Sequence, residues 1–153
     1  MIIVITGTPG VGKTEVSQLL SKRLNASHLD LNRIVKEEGL TLGIDKERKS
    51  QIADLKRLAG RVQELIKESS EDIIIEGHYV SEVVPPKLVS YVFVLRRDPD
   101  LLKADLERKG FGKQKASENI SAEILGICLS EALNAYGLKR VCEIDTTNKR
   151  VES

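Results

Sequence analysis

The first seventeen residues constrain the fold of this chain more than any other stretch. They read MIIVITGTPGVGKTEVS. An apolar, β-branched run from Ile2 to Ile5 leads into a GxxxxGKT motif at Gly7–Thr14, and an amphipathic run follows from Thr14 to Leu24. Strand, glycine-rich loop and helix in this order form the phosphate-loop (P-loop) pattern. Because the flanking elements are both present, the pattern favours a true P-loop over a chance match in a glycine-rich turn.

The loop has the chemistry to bind a polyphosphate. Glycines at positions 7, 10 and 12 allow backbone angles that turn successive N–H groups inward around an anion. The helix that begins near Gly12 adds unpaired N–H donors and the positive end of its dipole. We expect Lys13 to reach the β- and γ-phosphates and the Thr14 hydroxyl to ligate a bridging Mg²⁺.

Composition narrows the classes of function. With 24 basic and 23 acidic residues the net charge is only +1, which calls for neither nucleic acid nor a membrane surface. No apolar run approaches the roughly 18 residues of a membrane span, and the N-terminal run is too short for a signal peptide. Aromatic content of 3% gives little base-stacking surface, so sequence-specific nucleic-acid binding is not expected. Cys128 and Cys142 lack metal-like spacing and are predicted to be buried, reduced thiols, which favours a cytoplasmic location.

The rest of the chain alternates predicted strands and helices. Strands are predicted at Ala26–Leu31, Asp72–Glu76, Tyr91–Leu95 and Val141–Asp145. Long helices are predicted from Arg48 to Glu68, from Pro99 towards Gly110 with Asp98 as its N-cap, and from about Ile120 to Gly137. Together with the first strand this predicts a three-layer α/β fold of the P-loop NTPase class with a five-stranded parallel sheet. Ligands in such sheets collect at the carboxyl ends of the strands.

Three carboxylates fall at predicted strand ends: Asp30, Glu76 and Asp145. Glu76 ends an apolar strand as a Walker-B acid does, where it could hold a water of the Mg²⁺ shell. The alternative is a carboxylate that caps the following loop. His78 could position a water or a phosphate oxygen, or could form a hydrogen bond within its own loop, whereas His28 is predicted to be structural.

Two basic regions complete the candidate site. Arg33, at the start of a polar, partly helical insertion, is predicted to bind an anionic acceptor because a guanidinium grips phosphate through two hydrogen bonds. Arg96 and Arg97 are further candidates, with surface solvation as the alternative. The segment from Arg108 to Lys115 carries four cations around two glycines. It is either a lid that closes over the transferring phosphoryl group or an ordinary solvated face.

Several stretches of the chain occur in a characteristic combination. They are ITGTPGVGKT at 5–14, IEGH at 75–78, VLRRDP at 94–99, and Gly110-Phe111 followed by Lys115 and by ENISAE at 118–123. Together they resemble the archaeal-type adenylate kinases, which are similar to the human coilin-interacting nuclear ATPase protein. The resemblance covers most of the chain, and ENISAE beside a lid is its most specific part.

The resemblance implies a fold of the nucleoside monophosphate kinase type and transfer of a phosphoryl group from ATP to AMP, which gives two ADP. It implies Mg²⁺ with the ATP, slow ATP hydrolysis, and a role in small ribosomal subunit assembly through a ribosomal protein partner. It also implies one domain over residues 1–153, with an acceptor-binding insertion at about 30–52 and a lid at about 108–118.

The resemblance also implies roles by position. Gly10, Val11, Gly12, Lys13, Thr14 and Glu15 would bind the ATP phosphates, and Thr147 and Asn148 would lie near the adenine. Lys13, His78, Arg108 and Lys109 would be catalytic, Asp30 and Arg33 would bind the acceptor, and Thr14 and Glu76 would hold the metal. The chain departs from the family where Glu76 replaces the usual aspartate and where Lys109 and Asp105 replace lid arginines. A closing C-terminal helix is also expected after Ser153, so one sheet face could be bare or covered by another subunit.

Two other functions stay open. One is an ATP-driven assembly factor whose nucleotide state gates a protein partner, with kinase activity incidental. The other is a kinase of another small metabolite, such as shikimate or a sugar acid. A hydroxyl acceptor must lose its proton and would need a base such as Asp30, whereas an AMP phosphate oxygen is already a nucleophile.

Overall fold

A computed structural model describes residues 1–46 and 50–152 of the chain. Strands and helices alternate along most of it. Their order is β1 (Ile2–Gly7), α1 (Lys13–Leu24), β2 (Ser27–Asp30), α2 (Leu31–Glu38), β3 (Thr41–Asp45), β4 (Ser50–Ala53), α3 (Leu55–Glu68), β5 (Ile73–Glu76), α4 (Val80–Val83), β6 (Tyr91–Arg96), α5 (Pro99–Arg108), α6 (Lys113–Leu125), α7 (Ile127–Tyr136) and β7 (Val141–Asp145). No helix in these two ranges is long and apolar enough to cross a membrane.

Five of the strands form one parallel sheet in the order β2-β5-β1-β6-β7. This confirms the predicted five-stranded α/β architecture. Every residue of the central strand β1 is buried, because helices cover both faces of the sheet. On one face Ile5, Ile74 and Leu95 pack with α1 and α5, and on the other Val4, Ile75 and Val94 pack with α3, α4 and α7.

The sheet brings its strand ends to one edge. β1 ends at Gly7, β2 at Asp30, β5 at Glu76 and β7 at Asp145. The three carboxylates that the sequence placed at strand ends therefore do lie at strand ends. Asp98 N-caps α5 as predicted, since its carboxylate accepts from the backbone N–H groups of Asp100 and Leu101.

The long helix predicted from Arg48 to Glu68 was wrong in its first part. Residues 50–53 form β4, which pairs antiparallel with β3, and α3 begins at Leu55. Asp54 is the N-cap of α3, and its carboxylate accepts from the backbone N–H of Arg57 at 3.2 Å. Pairing with β3 makes these residues a strand, although the apolar positions of the sequence follow a helical period. No local pattern reveals that β3 is the partner. Arg48 itself lies outside the described residues.

The single helix predicted to end at Gly137 is two helices. Gly126 separates α6 from α7 with a φ of 66°, a left-handed conformation that glycine adopts readily. Ile124 and Leu125, at the end of α6, are 63% and 71% exposed, so these two side chains are not part of the core. The prediction of two buried thiols was also wrong in part: both cysteines are free, but Cys142 is exposed on an edge strand and Cys128 is half-buried.

Part of the sheet beside β7 is open. A groove of about 200 Å³ lies between α1 and β7, lined by apolar side chains that include Leu19, Phe93, Ile144 and Val151. Ile144 is 37% exposed there. The groove adjoins the cavity described below, with which it shares Val16, Leu95, Ile144 and Val151.

Candidate functional site

The P-loop joins β1 to α1 at the centre of the carboxyl edge. Gly10 and Gly12 have φ angles of 95° and 101°, a region that residues with a Cβ rarely adopt. At Gly7 a Cβ would lie 2.8 Å from the carbonyl oxygen of Leu95, so the close approach of β6 also requires glycine there. The glycine spacing read from the sequence therefore has a direct backbone cause.

Lys13 begins α1 and folds back over the loop. Its Nζ donates to the carbonyl oxygen of Gly7 at 2.6 Å. Burial lowers the pKa of Lys13 to about 8, although Cys128, Glu76 and Asp30 act in the opposite direction. The cation therefore lies in a partly desolvated position, where an anion is bound more strongly than at a fully hydrated surface.

Thr14 and Glu76 form the candidate metal site. The Thr14 hydroxyl donates to Oε1 of Glu76 at 2.7 Å, and Glu76 is only 2% exposed. Burial would raise the pKa of Glu76, but hydrogen bonds with His28 and Thr14 outweigh it and hold that pKa below its usual value. The carboxylate is therefore ionised at neutral pH.

This pair fits Mg²⁺. A hydroxyl and an ionised carboxylate supply hard oxygen atoms, which this ion prefers. No group of three or more His, Cys, Asp or Glu side chains that could hold a metal occurs among the described residues. Thr14 and Glu76 would thus hold the ion together with phosphate oxygens and water, as is usual for Mg²⁺ at nucleotide sites.

His78 lies between the P-loop and the lid segment. Burial lowers its pKa to about 4, and the charges of Lys13 and Lys115 act in the same direction. Its Nδ1 is buried and makes no hydrogen bond to any residue that the structure describes. A neutral imidazole with an unpaired nitrogen at this point could bind a water or a phosphate oxygen.

The cations of the segment from Arg108 to Lys115 differ in where they lie. Arg108, at the end of α5, is 75% exposed and pairs with the carboxylate of Asp105. Lys109 caps α5 and lines the cavity beside the P-loop. Lys115, on α6, lies 5.1 Å from the centre of the Phe111 ring. The structure therefore brings Lys109 beside the P-loop, places Lys115 close enough to His78 to lower its pKa, and leaves Arg108 on the surface.

A cavity of about 460 Å³ adjoins the P-loop, a size that suits a nucleotide base and sugar. It is bounded by the start of α1, by α5 and by the chain after β7. Its lining includes Gly12, Glu15, Arg97, Lys109, Thr146 and Lys149. Thr147 and Asn148, expected near the adenine, are in the same loop but not among the lining residues.

Thr146 was not predicted as a site residue from the sequence, although its side chain connects this loop to the P-loop and to the end of β6. Its Oγ1 lies within hydrogen-bond distance of the carbonyl oxygens of Val11 and Arg96, at 3.2 and 2.9 Å. Thr147 instead accepts from the backbone N–H of Asp98 at 2.8 Å. The polar run Thr146-Thr147-Asn148 is typical of a loop, but it does not indicate which of its residues lines the cavity.

The proposed acceptor residues lie at the start of α2. Asp30 is the N-cap, and its Oδ1 accepts from the backbone N–H groups of Asn32 and Arg33 at 3.0 and 3.3 Å. The Arg33 guanidinium is 73% exposed and pairs with Glu37 at 2.8 Å. The structure thus places Asp30 beside the site and directs Arg33 to the surface of the insertion, and their acceptor roles stay predictions.

Glu123, on α6, is a buried carboxylate that sequence reasoning did not place in the site. Its Oε1 accepts from Nε of Arg96 at 3.0 Å and from the hydroxyl of Thr8 at 3.3 Å. Its Oε2 accepts from the backbone N–H of Arg97 at 2.8 Å. One side chain thus joins α6, the end of β6 and the P-loop. The ENISAE stretch was its only sequence signal.

Comparisons with known proteins identify related sequences. The family model described as an AAA domain matches residues 3–126. A protein of Methanocaldococcus jannaschii described as "Putative adenylate kinase" is 41% identical over 153 residues, which are 100% of this chain and 81% of that protein. A protein of Saccharolobus solfataricus with the same description is 43% identical over 155 residues, covering 99% and 78%.

Solved structures with low sequence identity share the fold. A shikimate kinase from Bacteroides thetaiotaomicron superposes with a TM-score of 0.60 at 19% identity, covering 100% of this chain and 89% of the other. A gluconokinase from Sinorhizobium meliloti 1021 gives 0.59 at 14% identity, covering 98% and 84%. These two structural similarities are evidence for the fold only. By the matched model and the two archaeal sequences, the chain belongs to the AAA domain family of P-loop proteins and to the same family as these archaeal proteins.

Proposed function

We propose that this protein is an Mg²⁺-dependent adenylate kinase that transfers the γ-phosphoryl group of ATP to AMP and gives two ADP. Two archaeal relatives that match 99–100% of this chain are described as "Putative adenylate kinase", which supports the proposal. We assign the whole chain to one P-loop kinase domain, with an acceptor-binding insertion at about 30–52 and a lid at about 108–118.

The observation that carries the proposal is the convergence of cations on the P-loop. Lys109, from the lid segment, lies close enough to Lys13 to help lower its pKa, after the larger effect of burial. Lys115, from α6, acts on His78 together with Lys13, again after burial. Like charges repel, so holding Lys109 near Lys13, and both Lys13 and Lys115 near His78, has an electrostatic cost. A highly charged phosphoryl group would compensate that cost.

The residues then have distinct roles in transfer. Lys13, with Lys109 and Lys115, would stabilise negative charge on the phosphoryl oxygens, and the lid would exclude water. Thr14 and Glu76 would hold Mg²⁺, which when bound would neutralise negative charge on the phosphates of ATP. An acceptor phosphate oxygen attacks the γ-phosphorus as the bond to the β-phosphate oxygen breaks. Since that nucleophile carries no proton to remove, no side chain need act as a general base.

An acceptor screen tests this proposal. Purified protein with Mg²⁺ and ATP is offered AMP, CMP, UMP, GMP, shikimate or gluconate, and products are separated by chromatography. We expect ADP well above the acceptor-free level with AMP. Turnover with shikimate or gluconate alone would replace the proposal with a kinase of a hydroxyl acceptor.

The Asp30→Asn variant tests whether the transfer needs a general base. Asparagine is as good an N-cap as aspartate, so α2 stays intact. It cannot act as a general base, however. We expect kcat at saturating AMP to persist within about threefold, because the phosphate acceptor needs no base, whereas a lost acceptor contact would raise KM for AMP. A loss of about 10²-fold or more in kcat at saturating AMP would indicate a deprotonation step and contradict the AMP assignment.

The ATPase side activity and the link to small-subunit assembly stay predictions of the resemblance. They are tested together by measuring ATP hydrolysis without acceptor and by retaining ribosomal proteins on the immobilised protein with ATP or ADP. Retention that differs between the two nucleotides, with hydrolysis as fast as transfer, would favour the switching alternative.

A further inference from the structure

His28 contacts the carboxylate of the candidate metal site. Its Nε2 lies 2.6 Å from Oε2 of Glu76, while Thr14 donates to Oε1 of the same carboxylate at 2.7 Å. Because Glu76 is ionised, its oxygens only accept, so Nε2 of His28 carries the proton of this hydrogen bond. Thr14 and His28 therefore hold different oxygens of the carboxylate, and the Ser17 hydroxyl also helps to lower its pKa.

The sheet explains why these side chains meet. β2 and β5 are parallel neighbours, with His28 beside Ile74 and Asp30 beside Glu76. Alternate residues of a strand point to the same face, so Ile74 and Glu76 share the face that carries α1, and His28 lies on that face as well. His28 and Glu76 are 48 residues apart in sequence but are diagonal neighbours on two paired strands.

A glutamate carboxylate needs hydrogen bonds that hold it in one orientation. It is separated from the backbone by three rotatable bonds, and each must be fixed for the group to meet a ligand in one orientation. Thr14 holds one oxygen, but its own hydroxyl is a candidate ligand of the ion and changes its surroundings when the ion binds. His28 comes from β2, outside the P-loop, and contacts the other oxygen of Glu76, so it is placed to hold that oxygen whether or not the ion is bound.

We propose that His28 is a positioning residue that fixes the Glu76 carboxylate for the metal of the nucleotide complex. The inference rests on the proposed function, since it assumes that Glu76 faces the ion of bound ATP. It assigns a role to the histidine that the sequence predicted to be merely structural. It also makes β2, which continues into the acceptor helix α2, a support of the metal site.

The test measures metal binding rather than turnover. Mn²⁺, which electron paramagnetic resonance detects directly, is titrated into protein saturated with a nonhydrolysable ATP analogue. His28→Phe keeps an aromatic ring but removes the donor. We expect it to weaken Mn²⁺ binding about tenfold or more, the usual effect of losing an outer-shell partner. Binding of the analogue in excess EDTA should be unchanged.

Two further variants separate positioning from general damage. In His28→Gln the amide nitrogen reaches about as far as Nε2, so we expect Mn²⁺ affinity within about threefold of wild type. Ser27→Ala is the matched control: it lies on the same strand and removes a hydrogen bond to Glu71, away from the site. It should leave Mn²⁺ binding unchanged. Circular dichroism and thermal unfolding report whether each variant is folded.

A double-mutant cycle provides the decisive comparison. If His28 acts through Glu76, His28→Phe should have little further effect on Mn²⁺ affinity in a Glu76→Gln background. Equal Mn²⁺ affinities of wild type and folded His28→Phe would overturn the inference and leave the proposed function intact. An equal loss in both backgrounds would also overturn it. A wild type that does not bind the Mn²⁺ complex of the analogue would instead contradict the proposed function and the inference with it. Should His28→Phe fail to fold, the comparison rests on His28→Asn, whose shorter amide does not reach the carboxylate.

Discussion

At the scale of single residues, Lys13 is the cation on which transfer should depend most. We expect Lys13→Ala to lower kcat/KM for ADP formation by about 10³-fold, because it removes a preorganised charge from the transferring group. The fold should persist, since the ammonium donates to one carbonyl of a loop whose shape its glycines set. Lys22→Ala, exposed on the same helix, is the control and should behave as wild type. Near-normal ADP formation by Lys13→Ala would refute the assignment.

The two cations at the end of α5 should differ in their effects. Lys109 lines the cavity, whereas Arg108 is already paired with Asp105 at the surface. We expect Lys109→Ala to lower kcat/KM for ATP about tenfold or more, the effect of one hydrogen bond to a charged group. Arg108→Ala should change it less than about threefold. Steady-state kinetics at saturating AMP measures both, and the reverse ranking would make Arg108 the lid cation.

At the scale of elements, Glu123 joins α6 to β6 and the P-loop. We expect Glu123→Ala to lower the free energy of unfolding by about 3 kcal/mol, because it leaves the half-buried Arg96 and a backbone N–H without their acceptor. Glu143→Ala is the matched control, since Glu143 contacts the same guanidinium at 3.4 Å but is 51% exposed. It should cost less than about 1 kcal/mol. Urea unfolding of both variants measures the difference, and equal losses would contradict the network.

Gly126 and Gly60 form a second pair for comparison. Gly126 ends α6 with a φ of 66°, and a Cβ there would lie 3.4 Å from Nη1 of Arg96. We expect Gly126→Ala to destabilise the protein by about 1–2 kcal/mol. Gly60 lies within α3 with open space around it, so Gly60→Ala should stabilise by about 0.5–1 kcal/mol. Urea unfolding separates the two, and stabilisation by both would mean that α6 and α7 can form one continuous helix.

These elements also show how far local patterns predict the fold. β1, the P-loop and α1 were predictable because each carries its own local signal in consecutive residues. β4 was missed because four residues become a strand only through pairing with β3. The break at Gly126 was missed because a glycine is tolerated within a helical pattern, and apolar residues continue on both sides of it.

At the scale of the whole molecule, the sequence predicts those parts of the candidate site whose positions depend on sheet topology alone. Asp30 and Glu76 end strands, and parallel strands share a carboxyl edge, so their proximity follows from the fold class. The contact of His28 with Glu76 depends on which strands are neighbours, and that of Glu123 with Thr8 depends on how α6 packs. Neither follows from local pattern, because the partners are 48 and 115 residues apart.

Ligand binding should stabilise the whole domain. A nonhydrolysable ATP analogue with Mg²⁺ contacts β1, α1, α5 and the loop after β7 in our account, and an unfolded chain has no such site. At a free concentration of 100 times Kd it should add about 2.7 kcal/mol to the free energy of unfolding. Thermal unfolding across an analogue titration measures this. A melting temperature that does not rise with concentration would contradict nucleotide binding.

The most direct measurement of the central claim follows the phosphoryl group itself. The protein is incubated with Mg²⁺, AMP and ATP labelled with ³²P at the γ-position, and the products are separated during the first turnovers. We expect the label to appear in ADP at the rate at which ATP is consumed, and only when AMP is present. Label released as inorganic phosphate at the same rate with or without AMP would contradict it.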